Sequence, residues 1–389
     1  MTVPVDAATT TFRAAVVGGS LGGLAAAHEL RSIGAEVAVY ERSVGRTEAR
    51  GAGIVMQPEV ASLLARVDRS VPSVSVPLAE RQQLHRHGAP DRYHAPQWMS
   101  AWDTLYGALR APLSDICLRL DSRLTGLSTE DNQVSAQFGD GYRTTADLLV
   151  GADGIGSTTR QLLTGQDEPR YAGYVAFRGL LPERSLPGPL HDLLANRFTL
   201  FAVPGMQMLC YLVPGADGER TEGLRRVNWV WYVNTAEAVL PHLLTGRSGR
   251  RFDFFLPPGE LAGPVLESVL ALAGATLPQP FAELVQLTPI FLQPVFDLAP
   301  APRVAENIVL IGDAAGTVRP HTASGTSKAF GDAAALAHAL TGWHRGTPLP
   351  LRRLDAWAAQ RTVHLVDVAE AGVRLAARSQ LGMGGPQFL

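Results

Sequence analysis

A glycine-rich turn follows the first apolar segment of the chain and has the residue types that bind phosphate. Residues 14–17 are apolar and β-branched, which predicts a buried parallel strand ending at the glycines. Residues 18–23 read G-G-S-L-G-G, and the alanine-rich stretch 24–33 predicts a helix that ends at Gly34. A pyrophosphate can approach the backbone closely only where side chains are small, and the free N–H groups of a helix N-terminus attract it.

An acidic residue stands where a dinucleotide-binding unit needs one. Glu41 closes a second predicted strand, residues 37–40, and a carboxylate about 20 residues beyond the turn can accept hydrogen bonds from a ribose diol. The glycine pattern departs from G-x-G-x-x-G because Ser20 replaces the middle glycine; serine is small, and its hydroxyl could face a phosphate. Residues 13–41 therefore predict a βαβ dinucleotide-binding unit, with a glycine-rich turn of an ordinary α/β protein as the alternative.

Two further turns follow predicted strands later in the chain. Residues 148–150 form an apolar run that leads into G-A-D-G-I-G-S-T-T-R at 151–160, where Asp153 could bind a hydroxyl or order the turn. Residues 308–311 form another apolar run that leads into G-D-A-A-G and P-H-T-A-S-G, within 312–325. Each predicts a turn that faces a ligand, and a plain turn is the alternative for each.

The composition limits the class of protein. The chain has 389 residues, 46% hydrophobic and 18% charged, which is typical of a globular protein with a large core. The net charge of −2 gives no reason to expect nucleic acid or a membrane surface as partner. Cys117 and Cys210 lack metal spacing and lie in apolar runs, so we expect buried free thiols in a reducing cytoplasm. The polar N-terminus and the absence of about 18 consecutive apolar residues predict no signal peptide and no membrane span.

The middle of the chain predicts an antiparallel sheet rich in aromatic residues. Residues 171–179, 197–203, 207–213 and 227–233 read as strands bounded by proline or glycine. Such an aromatic face either belongs to the core or forms the wall of a pocket for a planar ring. Further on, residues 328–340 and 354–377 predict helices.

The order and spacing of the three turns resemble those of the group A FAD-dependent aromatic hydroxylases, the p-hydroxybenzoate hydroxylase type. The resemblance covers about residues 12–375. Within that family, G-I-V-M-Q-P at 53–58, Y-A-G-Y-V at 171–175 and R-P-H at 319–321 resemble the branch of 2,6-dihydroxypyridine 3-hydroxylase.

The resemblance implies the architecture. The expected fold class is α/β, with a Rossmann-like FAD-binding domain, an interleaved antiparallel β-sheet substrate domain and C-terminal helices. The expected segments are a disordered tail at 1–11, the FAD-binding domain at 12–70, 97–169 and 298–345, the substrate-binding domain at 71–96 and 170–297, and the C-terminal helices and tail at 346–389.

The resemblance also implies the cofactors and their ligands. FAD is the expected cofactor, NADH or NADPH the transient reductant and O₂ the co-substrate, and an electron-rich aromatic or heteroaromatic ring is hydroxylated through a flavin C4a-hydroperoxide. At the pyrophosphate, the implied residues are Gly18, Ser20, Leu21 and Gly23. Glu41 is implied at the adenosine ribose with Arg42 as a further contact, and Arg50 at the diphosphate or ribityl region. Asp153 and Gly154 belong to a motif shared by FAD and NAD(P)H, Asp313 is implied at the ribityl chain, and Gly325 beside the flavin.

The loop that begins at Pro320 supplies the predicted catalytic residues. Pro320 and His321 are expected beside the flavin, and His321, with an ordinary pKa near 6.5, is the candidate base that deprotonates a phenol-like substrate. A structural loop histidine is the alternative. Gln57 and Tyr211, together with His321, are the predicted substrate contacts. The expected partner is a small aromatic substrate, and a homodimer is expected as the assembly.

Several positions depart from the family pattern. Gly316 stands where histidine is common, residues 324–327 replace G-Q-G-x-N, and Trp102 replaces an arginine. Two alternatives therefore stay open. A halogenase is one, because Trp229 and Trp231 form W-x-W, although that chemistry also needs a lysine near the flavin and Lys328 is the only lysine. The other is a catalytically silent FAD-binding protein.

Overall fold

The computed structural model describes residues 11–43, 53–165, 168–382 and 384–389. In chain order its strands are β1 (Arg13–Val17), β2 (Glu36–Tyr40), β3 (Gly53–Val55), β4 (Val76–Gln83), β5 (Asp91–Ala101), β6 (Cys117–Arg119), β7 (Leu124–Glu130), β8 (Gln133–Phe138), β9 (Arg143–Ala146), β10 (Leu148–Gly151), β11 (Arg170–Pro182), β12 (Arg197–Val203), β13 (Met206–Val213), β14 (Arg226–Asn234), β15 (Ile290–Asp297), β16 (Val304–Ala305) and β17 (Ile308–Leu310).

The α-helices are interspersed among these strands. In chain order they are α1 (Leu21–Ser32), α2 (Pro58–Arg66), α3 (Trp102–Arg110), α4 (Thr158–Thr164), α5 (Gly188–Leu194), α6 (Leu240–Leu243), α7 (Gly263–Thr276), α8 (Gln279–Gln286), α9 (Gly325–Leu340) and α10 (Leu351–Ala377). Within the described ranges, none of these helices is long and apolar enough to cross a membrane. The predicted tail at 1–11 lies outside the described residues, apart from Thr11.

A six-stranded sheet places the three predicted turns next to one another. Its strand order is β16-β17-β10-β1-β2-β6, and β1 pairs in parallel with both β2 and β10. β10 also pairs in parallel with β17. The carboxyl ends of β1, β10 and β17 therefore meet at one edge of the sheet, which is where α/β proteins bind ligands. We call the segments that leave this edge the first turn (18–23), the second turn (151–160) and the third turn (312–325).

Both faces of the six-stranded sheet are covered, which explains why its central strands are apolar on both sides. On one face, Val16 packs with Leu24 of α1 and Leu336 of α9. On the other face, Leu149 packs with Phe138 of the three-stranded sheet β7-β8-β9. This layering holds α1 and α9 rigidly beside the edge that carries the turns.

An eight-stranded sheet stands next to this edge, in the order β15-β11-β14-β13-β12-β4-β5-β3. Its neighbouring strands are antiparallel except β12 and β4. Every residue of β14 is buried because both faces of the sheet are covered. Trp231 belongs to the cluster that includes Phe281 of α8, whereas Tyr232 belongs to the cluster that includes Ala376 of α10. Successive side chains of β14 therefore pack into two different hydrophobic clusters, one on each face of the sheet.

The structure differs from several local expectations. The sequence predicts two short strands, near 287–291 and 294–297, whereas the structure has the single strand β15, in which Pro294 is tolerated because β15 is an edge strand. Of the one or two helices expected over 354–377, the structure has one, α10. The helices α5 and α8 were not predicted. Cys117 is exposed, contrary to the expectation, because it begins the edge strand β6, whereas Cys210 is buried as expected.

Membership of the eight-stranded sheet crosses two of the predicted segment boundaries. β3 lies in the segment 12–70 that was assigned to the FAD-binding domain, yet it pairs with β5 of the other sheet. β5 itself continues to Ala101, beyond the boundary at 96. The division into two domains remains a prediction.

A buried charge cluster fixes the start of the third turn. Asp332 of α9 accepts hydrogen bonds from the backbone N–H of Gly312 at 3.0 Å and from the Arg303 guanidinium at 3.1 Å. The other carboxylate oxygen of Asp332 accepts a bond from Arg361 of α10 at 2.7 Å. Asp332 and Arg303 have no solvent exposure, so the cluster depends on complete internal pairing.

We expect Asp332→Asn to lower the free energy of unfolding by about 3 kcal/mol or more, because it leaves buried guanidinium groups without a counter-charge. Urea unfolding followed by circular dichroism measures this. The matched control is Glu370→Gln, which removes the exposed partner of Arg374 and should cost under about 0.5 kcal/mol. Equal costs for the two variants would contradict the role given to Asp332.

Candidate active site

The first turn is shaped by glycines whose replacement is sterically impossible. Gly18 has a φ of 106°, and a β-carbon there would collide with the carbonyl of Ala152 in the second turn. A β-carbon at Gly23 would collide with the carbonyl of Gly18. Ser20 is the N-cap of α1, and within the described chain its side chain makes no capping hydrogen bond. The N–H groups that begin at Leu21 are therefore available to a phosphate.

Glu41 lies at the end of β2 beside the first turn. One of its carboxylate oxygens accepts a hydrogen bond from the backbone N–H of Gly19 at 2.7 Å, and the other from that of Ser43 at 2.8 Å. A carboxylate has about four acceptor positions, so capacity remains for a ribose diol. Arg42 is exposed next to it. Arg50 lies outside the described residues, so its predicted role stays a prediction.

The second turn is bound internally and linked to the third. Asp153 accepts hydrogen bonds from the Ser157 hydroxyl at 2.5 Å and from the backbone N–H of Thr159 at 3.0 Å. Asp153 could either bind a ligand hydroxyl or order the turn, and these contacts are of the second kind. Gly154 in the same turn adopts a φ of 77°. Fully buried Arg160 donates to the carbonyl of Ala314 in the third turn at 3.3 Å.

The third turn is held by Lys328 of α9. The Lys328 ammonium donates to the carbonyls of Gly312 and Gly316, each at 2.7 Å, and lies 3.5 Å from a carboxylate oxygen of Asp313. Burial is the main cause that lowers the pKa of Lys328. The Asp313 side chain is 47% exposed and points its remaining acceptor capacity away from the core, which suits a polyol chain such as ribityl.

The N-termini of α1 and α9 lie against each other. Gly22 lies near the start of α1, and a β-carbon there would lie 3.4 Å from the β-carbon of Ala329 in α9. α9 begins at Gly325 with Ser324 as its N-cap, and no side-chain cap or acidic first-turn residue is present there in the described chain. Two positive helix ends therefore converge between the turns, where they favour an anionic ligand such as a dinucleotide.

A cavity of about 610 Å³ opens between the third turn and the eight-stranded sheet. Asp313, Pro320, His321 and Gly325 line it from one side, and Tyr211 lines it from the other. Its remaining walls include Gly53, Gln57, Trp102, Arg178, Gln207, Val230 and Tyr232. The structure thus brings the predicted catalytic and substrate residues together around one space large enough for a small aromatic ring.

His321 uses both ring nitrogens. Its Nε2 lies 3.0 Å from the Tyr174 hydroxyl, and its Nδ1 lies 2.9 Å from Oε1 of Gln207. Nδ1 must donate because the Gln207 oxygen only accepts, so Nε2 accepts a bond from Tyr174. Burial, with a smaller contribution from Arg319, lowers the pKa of His321 to about 4. The assumption of an ordinary pKa near 6.5 is thus wrong, because His321 is neutral and only weakly basic.

Gln57 and Tyr211 line the cavity in different ways. The Gln57 amide donates to the carbonyls of Thr322 and Ala323, and its oxygen accepts a bond from the Ser327 hydroxyl. Gln57 therefore holds the loop in which Ala323 adopts a φ of 55°. Among the described residues, the Tyr211 hydroxyl has no hydrogen-bond partner, and burial raises its pKa. Tyr211 thus presents a neutral phenol that can contact a ligand.

Sequence reasoning missed several residues that line the cavity, namely Arg81, Arg178, Gln207 and Tyr232. An alternating pattern could have indicated some of them, because Gln207, Leu209 and Tyr211 occupy every second position of β13. Arg81 reaches the cavity because β4 pairs with β12, and a local sequence pattern does not show which strands pair.

The features behind the halogenase alternative lie away from the cavity. Trp229 and Trp231 are fully buried and pack in the cluster that includes Phe281 of α8, on the face of β14 opposite Tyr232. The Lys328 ammonium is occupied by two backbone carbonyls. Neither arrangement supports halogenase chemistry.

A dinucleotide site that opens into an aromatic cavity is the arrangement of a flavoprotein oxidoreductase. Family models agree: residues 11–173 match the model described as FAD binding domain, and residues 171–297 match the model described as FAD binding domain-like.

The relatives define the class more closely. The chain is 33% identical to 2,6-dihydroxypyridine 3-monooxygenase of Paenarthrobacter nicotinovorans, over 97% of this chain and 95% of the relative. It is 27% identical to 6-hydroxynicotinate 3-monooxygenase of Bordetella bronchiseptica, over 83% and 81%. The solved structure of 2,6-dihydroxypyridine-3-hydroxylase from Arthrobacter nicotinovorans superposes with a TM-score of 0.89 at 31% identity, over 98% of this chain and 99% of that one.

The chain belongs to the FAD-dependent aromatic monooxygenases. It is a flavoprotein enzyme with FAD as cofactor, NAD(P)H as reductant and O₂ as co-substrate. The α/β fold class with an FAD-binding domain and the family resemblance are confirmed. The alternative of a catalytically silent protein is set aside. The roles of individual site residues remain predictions.

We expect Gly18→Ala to abolish retention of FAD on purification, since the added carbon collides with the second turn and the φ is unfavourable. Flavin absorbance per protein and an FAD titration measure this, with an expected loss of about a hundredfold or more in affinity. The matched control is Gly141→Ala, which has a φ of 82° but open space around its β-carbon. Full FAD binding by Gly18→Ala would contradict the first turn as the phosphate site.

We expect His321 to make the protein less stable in acid. Its pKa is lower in the folded state, about 4, than the ordinary 6.5, so its contribution is complete above 6.5 and lost as pH falls towards 4. Between about pH 7 and about pH 4.5 this amounts to roughly 2 kcal/mol.

The pH test compares urea unfolding of the wild type with His321→Gln at fixed FAD concentration. The wild type should lose about 2 kcal/mol more than the variant on acidification. His344→Gln, at an exposed histidine, should follow the wild type. Parallel curves for wild type and His321→Gln would show that His321 is not held neutral.

Proposed function

We propose that this monooxygenase hydroxylates an electron-rich heteroaromatic or phenolic ring of the hydroxypyridine type. The observation that carries the proposal is the cavity of about 610 Å³ that joins the third turn to the aromatic face of the eight-stranded sheet. The names of the relatives, which act on 2,6-dihydroxypyridine and 6-hydroxynicotinate, support a heteroaromatic substrate.

The residues of the three turns fit FAD. We assign the diphosphate to the first turn and the N-terminus of α1, and the adenosine ribose to Glu41, with Arg42 beside it. The ribityl chain is assigned to Asp313, and the flavin ring to the region of Pro320 and Gly325. When bound, FAD supplies hydride acceptance from NAD(P)H and the activation of O₂.

Neutral hydrogen-bond donors would orient the substrate. His321 carries its proton on Nδ1, on the side of Gln207, and both residues line the cavity. The hydroxyls of Tyr211 and Tyr232 are protonated, since burial raises the pKa of Tyr211, and that of Tyr232 to about 12. Hydrogen bonds from these two hydroxyls stabilise a ring oxygen that is bound as its oxyanion, its proton having passed to solvent, and the oxyanion increases the electron density of the ring. Because the Nδ1 proton of His321 is shared with Gln207 and its Nε2 accepts a bond from Tyr174, we assign His321 a positioning role in place of the expected role as base.

Apolar side chains form part of the cavity wall. Trp102 begins α3 and stacks on Tyr106 at a centroid distance of 4.9 Å, so it forms a fixed apolar wall where the family has an arginine. Pro320 and Val318 complete the wall on the side of the third turn. An apolar wall limits the access of water to the reacting ring and so reduces side reactions.

Three further assignments accompany this proposal. The division into an FAD-binding domain and a substrate-binding sheet domain, the homodimer and the cytoplasmic location are kept as the sequence predicted them. The presence of two separate large sheets supports the first, although β3 and the end of β5 lie on the other side of the predicted boundaries.

We expect NAD(P)H consumption by the holoenzyme to accelerate with a hydroxypyridine or phenol and to yield a product that gains one oxygen atom. The measurement is absorbance of NAD(P)H with and without each compound, followed by mass spectrometry of the product. The control is a matched benzene that lacks the hydroxyl, which should neither accelerate consumption nor gain oxygen. Consumption that responds to no aromatic compound would overturn the proposed function.

A further inference from the structure

Gln207 is a half-buried polar residue in the wall of the cavity. It lies on β13, and the cavity is lined by Gln207, Leu209 and Tyr211 from alternate positions of that strand. The Gln207 amide oxygen accepts a hydrogen bond from Nδ1 of His321 at 2.9 Å. Its amide nitrogen keeps accessible surface and has no hydrogen-bond partner among the described residues. Two N–H donors of this amide are therefore available to a ligand.

The orientation of the Gln207 amide depends on the proton of His321. A neutral imidazole carries one proton, so only one of its two nitrogens can donate. When that proton is on Nδ1, the Gln207 oxygen must face His321, which leaves the amide nitrogen for the cavity. A proton on Nε2 would require the opposite orientation of the amide, with the oxygen left for the cavity. The tautomer of His321 thus decides whether Gln207 offers a ligand donors or an acceptor.

The surroundings of Tyr174 select the tautomer. The hydroxyl of fully buried Tyr174 lies 3.0 Å from Nε2 of His321. Arg319, held by Asp297 through hydrogen bonds of 2.9 and 2.6 Å, places its guanidinium carbon 5.7 Å from the centre of the Tyr174 ring. This positive charge attracts the electron pairs of the Tyr174 oxygen, so the hydroxyl proton turns to Nε2. Burial and the charge of Arg319 both oppose a second proton on His321, and its single proton stays on Nδ1.

The neighbours of Gln207 suit a flat ring. Gln207 pairs across the sheet with Tyr232, whose ring centre lies 4.7 Å from that of His321. Leu209 gives the cavity an apolar surface between Gln207 and Tyr211, whose α-carbons are about 13 Å apart along the strand. A ring that lies on Leu209 therefore has Gln207 at its edge next to the third turn.

We propose that Gln207 contacts the substrate, and that its amide nitrogen donates to an oxygen of the aromatic ring at the edge next to the third turn. Tyr174 and His321 are positioning residues, because together they turn the donor end of the amide towards the ring. This rests on the proposed function and narrows the substrate class to rings that carry an oxygen acceptor at that edge. An amino group there would face a second donor, and the amide would lose its partner.

The first test compares two ligands of nearly equal shape, resorcinol and benzene-1,3-diamine. Both are neutral at neutral pH, and only resorcinol offers oxygen acceptors. Binding is measured from the change in flavin absorbance of the oxidised holoenzyme without NAD(P)H, so no turnover is needed. We expect the wild type to bind resorcinol about tenfold more tightly than the diamine, because the diamine leaves the Gln207 donors unpaired.

The second test changes Gln207 itself. Gln207→Met keeps the length of the side chain and removes the amide, so it should lower the preference for resorcinol about fivefold. Gln207→Glu replaces the donor by an acceptor and should reverse the preference. The matched control is Gln137→Met at an exposed glutamine of β8, which should keep the wild-type preference. FAD content and circular dichroism verify folding, and if Gln207→Met fails to fold, Gln207→Glu still tests the contact.

The third test changes Tyr174, which does not line the cavity in the described part of the chain. Tyr174→Phe removes the hydroxyl that fixes the tautomer, so the preference for resorcinol should fall about threefold although Gln207 is intact. The matched control is Tyr171→Phe on the same strand, β11, where the hydroxyl donates to the carbonyl of Thr235 at 3.1 Å. It should keep the wild-type preference. A merely structural effect would weaken the binding of both ligands equally and leave their ratio unchanged.

Each outcome decides part of the proposal. A lower preference in both Gln207→Met and Tyr174→Phe supports the contact and its positioning. Equal binding of the two ligands by the wild type, or an unchanged preference in Gln207→Met, overturns the contact. An unchanged preference in Tyr174→Phe overturns the positioning role. Failure of the proposed function looks different, because there no aromatic compound accelerates NAD(P)H consumption, whichever ligand binds more tightly.

Discussion

The buried charges on one face of α9 hold the third turn, which lines the cavity. Lys328 and Asp332 are one helical turn apart and therefore project in the same direction. Lys328 binds the carbonyls of Gly312 and Gly316, and Asp332 binds the N–H of Gly312. The third turn is thus held from both its carbonyl and its amide sides. α9 also packs on α1, so one pair of helices joins the third turn to the first.

This rigidity extends across the cavity. Gln57 holds the loop around Ala323 through its whole amide group, and the left-handed backbone of Ala323 persists because these bonds stabilise it. On the opposite wall, Arg81, Phe198 and Tyr211 form one stack. A ligand therefore meets a preformed site, and little ordering is needed for binding.

The sequence predicted the parts of the site that depend on local patterns. Glycines, acids and apolar runs lie close together in the chain, so the three turns and the family could be recognised. The environment of His321 could not be predicted, because its partners Tyr174 and Gln207 come from β11 and β13. Burial by distant segments then lowers the pKa from the value that the isolated residue suggests. Arg81 was missed for the same reason, since only the pairing of β4 with β12 brings it to Phe198.

The exposure of Cys117 has a related cause. Apolar neighbours in sequence indicate burial only when both sides of a strand are covered, and β6 is the outermost strand of its sheet. Pro294 gives the converse case, because its position in an edge strand removes the usual objection to proline within a sheet. Edge positions depend on strand order, which is a property of the whole fold.

The burial of Lys328 has a consequence for the chemistry of the surface. It is the single lysine in the sequence, and its side chain has no solvent exposure. Reagents and enzymes that acylate lysine side chains thus find no accessible target on the folded protein, although arginines cover its surface. Acylation of Lys328 requires α9 to separate from the third turn, so the rate of that modification measures how often the third turn opens.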